Sequence, residues 1–220
     1  STCAFPIFFS RFYNFYVIFK AFILKKINND YKGIDETFFK QGNIMKTHQA
    51  YALKLIFSVY IQSFLSKNKW SIDDFEIMKS TEGFTEDEIS HFGLMNFNSD
   101  GNSNFAHLTF AEFLVAQFLI DDIDQIDFSS EERKPDSHMK MFLLGAVLFT
   151  DNFEVVRNFL LSYSSIASKE SPIFKILKNQ NSAITKLESY LLDTNILNFF
   201  MISHFSSYFY DNYNISFIKY

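Results

Sequence analysis

The side chains able to bind a metal, move a proton or attack a substrate are few. They include five histidines, His48, His91, His107, His138 and His204, and one cysteine, Cys3. A zinc-type site needs converging ligands at close spacing. The histidines and Cys3 have no such spacing, so no metal is expected. Nothing sets a Ser or Cys beside a histidine and its acid, so nucleophilic catalysis has no local support. The glycines, at 33, 42, 83, 93, 101 and 145, are too scattered to cradle a phosphate, and no G-x-x-x-x-G-K-(S/T) occurs. No acidic pair follows an apolar parallel strand to hold magnesium. Asn214-Ile215-Ser216 fits a glycosylation sequon, but nothing else points to secretion. On its own the chain is expected to be no enzyme and to bind no nucleotide or metal independently.

The elements that would position these residues are mostly helices. Phe15, Phe19, Phe22, Ile23 and Ile27 recur at helical spacing, and Asn28, Asn29, Asp30 and Gly33 then break the pattern. A second helix is predicted from about Thr47, with a stripe of Ala50, Leu53, Phe57, Ile61 and Phe64. Three further starts share one local chemistry: Ser71 with Asp74, Thr85 with Glu88, and Thr109 with Glu112. In each, the hydroxyl can accept an orphan backbone N–H and the carboxylate can reach back to the cap's own N–H. Losing one such cap costs about 1 kcal/mol. Glu112 is either the partner of Thr109 or a contact to another domain.

Between the second and third starts lies a hairpin. Residues 94–98 and 104–108 flank Ser99-Asp100-Gly101-Asn102-Ser103, and Asp-Gly in that setting favours a tight reversal. On the second strand Phe105 and His107 are expected to share one face, Ala106 and Leu108 the other. Helix, helix, helix, hairpin, helix is the order of a winged helix, with the hairpin as its wing.

After Ile120 the acids Asp121, Asp122, Asp124, Asp127, Glu131, Glu132 and Asp136 crowd together with Pro135, which reads as a solvated loop. Helices are predicted again over 139–149, 151–163, 171–179 and 182–193, with Asp151 and Glu154 as another box-like start. The fold class is mainly α. The expected divisions are an N-terminal helical segment over 1–45, a winged helix over 46–123, an acidic linker over 124–138 and a C-terminal helical domain over 139–220.

Composition bounds the function. The 220 residues are 48% hydrophobic, enough for a real core, and carry 30 phenylalanines against one tryptophan. Net charge is -5 with no basic block, which argues against a nucleic-acid surface. A lone cysteine excludes an internal disulfide and fits a reducing compartment, so a cytoplasmic location is expected. The apolar run over 3–24 holds Pro6, Arg11, Asn14 and Lys20, unsuited to a membrane span, and it lacks a signal-peptide cleavage site. It reads as a buried helix, with a membrane-lying helix as the alternative. The chain opens on Ser1 without an initiator Met, which reads as a fragment.

One stretch carries a resemblance. Phe105-Ala106-His107-Leu108-Thr109-Phe110-Ala111-Glu112-Phe113-Leu114-Val115-Ala116 is similar to the F-x-H-x-(S/T)-F-x-E-(F/Y)-(L/F)-x-A signature in the winged helix of NACHT-family NTPases, the group that includes the NOD-like receptors. Tyr13-Asn14-Phe15-Tyr16, Phe19 and Lys25-Lys26 resemble the aromatic helix before that winged helix, and His48 to Phe57 the helix after it. The likeness spans about Phe12 to Ile123. The helices after 139 correspond by position to the helical domain that often precedes ankyrin or leucine-rich repeats.

The resemblance implies a switch. Bound ADP holds such proteins closed, and exchange for ATP releases them to oligomerise. The matching histidine, His107, would contact the β-phosphate of ADP held by an upstream P-loop domain, a bond made only in the closed state. An imidazole can donate one N–H to a phosphate oxygen, and the phosphate charge favours the doubly donating protonated form. The family's adenine-side proline would fall near Pro6, whose surroundings match poorly. Implied partners are the upstream NTPase domain, a downstream repeat domain and further copies in an oligomer. On the residues alone, His107 is an ordinary strand histidine and the chain a stand-alone helical interaction module or degenerate gene fragment. A winged-helix DNA binder is disfavoured, because no Lys or Arg occurs over 81–120.

Overall fold

The computed structural model describes residues 14–30, 43–57, 77, 84–123, 135–149 and 151–177. It is mainly helical with one two-stranded antiparallel ribbon. The elements are α1 (Phe15–Asp30), α2 (helical over 43–57), α3 (Glu86–His91), β1 (Met95–Phe97), β2 (Ser103–Phe105), α4 (Leu108–Ile123), α5 (Pro135–Phe149), a 3-10 turn (Asp151–Phe153), α6 (Glu154–Ser164) and α7 (Pro172–Leu177). The expected mainly α class with a small hairpin is what the chain forms.

Helix α1 is apolar on nearly every side, so spacing alone could not choose its inner face. The buried residues are Tyr16, Ile23 and Ile27, with Phe19 partly covered. Phe15 and Phe22, expected in that stripe, are 43% and 44% exposed. The helix starts on Asn14, whose Oδ1 accepts the Val17 N–H at 3.1 Å. Helix α2 is already formed at residue 43, four residues before the expected start. Thr47 lies inside it, its hydroxyl donating to the Asn43 carbonyl at 2.9 Å. Ala50, Leu53 and Phe57 are buried as expected; Ile61, Phe64 and the Ser71–Asp74 start lie outside the described residues.

The Thr85 start is a complete capping box. Thr85 Oγ1 accepts the Glu88 N–H at 3.2 Å, and Glu88 Oε2 accepts the Thr85 N–H at 2.8 Å. Gly93, at φ +60, follows the helix in the left-handed conformation that suits glycine there. The hairpin register pairs Met95 with Phe105, Asn96 with Asn104 and Phe97 with Ser103. Asn98 Oδ1 accepts the Asp100 and Asn102 N–H groups, and Gly101 takes φ +73 to close the turn. Each strand is shorter than expected, and β2 ends at Phe105 instead of reaching 108.

Helix α4 is the centre of the fold. Ala111, Phe113, Leu114, Val115, Ala116, Phe118, Leu119 and Ile120 are all buried, as a helix enclosed on most sides requires. It packs against α5, α6 and α7. Helix α5 begins at Pro135, not at 139, which cuts four residues from the expected acidic linker. Proline suits a first helical position, where its missing N–H would have had no partner. Asp151 is not the cap residue of α6: 151–153 wind into the 3-10 turn, and α6 takes Phe153 as its N-cap, which makes no side-chain cap bond. Proline also opens α7, preceded by Ser171, whose Oγ accepts the Phe174 N–H at 3.4 Å.

Buried residues of α1, α2, α4, α5, α6 and α7 belong to one hydrophobic core. That core runs across the expected divisions at 45 and 123–139, and the first of them falls inside α2. An aromatic stack joins three helices: Phe15 lies flat on Phe159 at 4.9 Å, Phe19 meets Phe113 and Phe159, and Tyr16 meets Phe113 and Tyr163.

Candidate functional site

The corner between β2 and α4 carries His107. The Ala106 N–H donates to the Leu94 carbonyl at 2.9 Å, the last cross-strand bond, and α4 starts two residues later. His107 is therefore not on the strand beside Phe105. It is the residue preceding the first helical turn. Its carbonyl accepts the Phe110 N–H at 3.0 Å, and its Nδ1 accepts the Thr109 N–H at 3.3 Å. The ring is exposed, tilted against Phe110 with centroids 6.1 Å apart. No described residue hydrogen-bonds Nε2.

This geometry corrects the expected Thr109–Glu112 box. A cap residue must sit just outside the helix, and Thr109 is its second residue. The two-residue corner brings the helix start forward, so the histidine ring takes the capping place. Glu112, the fifth helical residue, is half-buried. Burial raises its carboxyl above the usual range, and nearby His107 pulls it partly back.

Neither His48 nor His91 joins this corner. His48 is fully buried in α2, its Nδ1 2.8 Å from the Ile44 carbonyl and its Nε2 without a hydrogen-bond partner among the described residues. Burial lowers its pKa below 6.5. The Ile44 carbonyl and, more weakly, that of Ile89 favour the proton without reversing this. His48 and exposed His91 each lie against Phe92, at 5.9 and 6.0 Å. His204 and Cys3 lie outside the described residues. Among the described residues no three His, Cys, Asp or Glu side chains are grouped to hold a metal.

Three polar arrangements had no counterpart in the sequence reading. Arg157 is 4% exposed and donates Nη1 to the Val147 and Leu148 carbonyls at 3.0 and 3.4 Å, satisfying the last turn of α5. A basic residue soon after an apolar helix was the available signal. Tyr16 donates to Gln117 Oε1 at 2.6 Å, and Gln117 Nε2 donates to Asp121 at 2.6 Å. Burial, then the nearby Asp121 and Tyr163, push the Tyr16 phenol far up. Asn14 Nδ2 donates to the Ser162 carbonyl at 2.6 Å, so one residue caps α1 and ties it to α6.

No family model, curated protein or solved structure matches the chain. No helix among the described residues is long and apolar enough to cross a membrane.

Proposed function

We propose that this chain is a non-catalytic regulatory part of a NACHT-type signal-transducing NTPase. Its wing-and-helix corner stabilises the ADP-bound closed state. The observation that carries this is His107, the histidine of the F-x-H-x-(S/T)-F-x-E signature, standing exposed at the corner with Nε2 unengaged by any described residue. A hydrogen bond from that nitrogen to the β-phosphate of ADP on an upstream P-loop domain would be worth about 1.5–3 kcal/mol. That biases closed over open by about one to two orders of magnitude, the size of an ordinary coupling term. ATP exchange, oligomerisation, a downstream repeat domain and a cytoplasmic location go with this reading.

The test joins this chain to a NACHT-type P-loop domain and follows ADP retention and nucleotide-dependent oligomerisation. His107→Ala is expected to release ADP faster and to oligomerise more readily, by about tenfold or more. Unchanged ADP retention defeats the proposal. A second reading, a stand-alone helical interaction module, draws on the outer face of α1. Val17, Ile18, Phe22 and Leu24 are 45%, 43%, 44% and 39% exposed there. Upstream coding sequence without a phosphate-binding loop would favour that module.

A further inference from the structure

We propose that the first turn of α4 fixes the tautomer of His107, so that the ring offers solvent one N–H donor, at Nε2, and no acceptor. A neutral imidazole carries one proton, and whichever nitrogen accepts a hydrogen bond is the bare one. The Thr109 N–H donates to Nδ1 at 3.3 Å, so Nδ1 is the acceptor and the proton sits on Nε2. The assignment follows from the direction of a backbone donor. A backbone N–H cannot accept, so the opposite tautomer would set two donors against each other.

The consequence is a ligand class. A ring held this way bonds oxygens that accept, such as a phosphoryl oxygen, and leaves donor groups unmatched. If His107 faces ADP, a point that rests on the function proposed above, the contacting atom is Nε2, through its N–H. Protonating Nδ1 would strengthen the phosphate bond but break the cap on α4.

The test uses the 220-residue chain with ring-labelled histidine at a pH well above about 6.5, the ordinary histidine value. Nitrogen correlation spectra distinguish a bare ring nitrogen from an N–H. His107 is expected to show a single form, bare at Nδ1 and protonated at Nε2. A mixture of the two tautomers, or a proton on Nδ1, overturns the proposal. Two variants read the cap separately. His107→Ala is expected to lower Tm by about 2–4 °C and speed exchange of the Thr109 amide, while His107→Asn, which can still cap, restores both. Equal Tm and exchange in all three proteins also overturn it. Should His107→Ala not fold, the ring spectrum and His107→Asn decide. Unchanged ADP retention beside a single tautomer would remove the phosphate contact and leave this inference standing. A mixed tautomer beside altered retention would do the reverse.

Discussion

Single residues do their work here through backbone geometry as much as through chemistry. Gly101 is the plainest case. Its φ of +73 lies in the left-handed region, which costs an L-residue roughly 1–2 kcal/mol. Among the described residues a Cβ there would meet only Glu86 Oε1, at 3.6 Å, an ordinary contact. The cost of Gly101→Ala is therefore conformational, about 1 kcal/mol, and Gly101→Asn should lose less, since asparagine tolerates that region. Urea midpoints of the two variants check this, and an equal loss in both would point to steric crowding instead. The Asp-Gly pair announced this turn in the sequence. The setting of His107 was not announced. Alternation placed it on a strand, and only the point where pairing stops, at Phe105, moves it to a helix cap.

At the scale of elements, two stretches with the same capping formula behave differently. Thr85-x-x-Glu88 forms both reciprocal bonds, whereas Thr109 lies two residues inside the capping position of its helix. The formula reports which side chains could cap, but the helix start is set by what precedes it. Before Thr109 that is a ribbon ending in a two-residue corner. Thr85→Ala should cost about 1 kcal/mol. Thr109→Ala should stay within about 0.5 kcal/mol, as for a residue outside any cap. Denaturant curves of the two single variants would show the gap, and equal losses would restore Thr109 as a cap. Hairpin and helix types were legible because Asp-Gly and apolar periodicity are local signals. The inner face of α1 was not, because a helix apolar on nearly every side leaves the choice to its neighbours: Phe113, Phe159 and Tyr163. Arg157 was equally hidden, since its partners are carbonyls that become orphans only once α5 ends.

For the whole molecule, buried residues on both sides of the acidic stretch belong to one core. The acidic stretch after Ile120 separates sequence, yet α6 lies against α1 and α4 in one core. A fold so joined should respond as a unit to a change at one buried site, and His48 is such a site. Its ring is fully buried, Nε2 has no hydrogen-bond partner among the described residues, and burial depresses its pKa. Lys46 and Lys54 on its own helix, and Glu86, Asp87, Glu88 and His91 on α3, are exposed, and none contributes to its shift. The unfolded chain therefore binds a proton near pH 6.5 that the folded chain refuses. Stability should be full above that pH and fall as pH drops toward the folded value, by at most about 1.4 kcal/mol per unit. Glu112 works in the opposite sense and lower down. Its raised carboxyl favours the fold below 4.5 and loses that contribution as pH rises through the folded value. Urea midpoints of the wild type and His48→Gln between pH 7.5 and 5 isolate the histidine, because every other titrating group is common to both. The wild-type curve should fall more steeply toward acid, and parallel curves would mean that the ring takes up its proton without leaving the core.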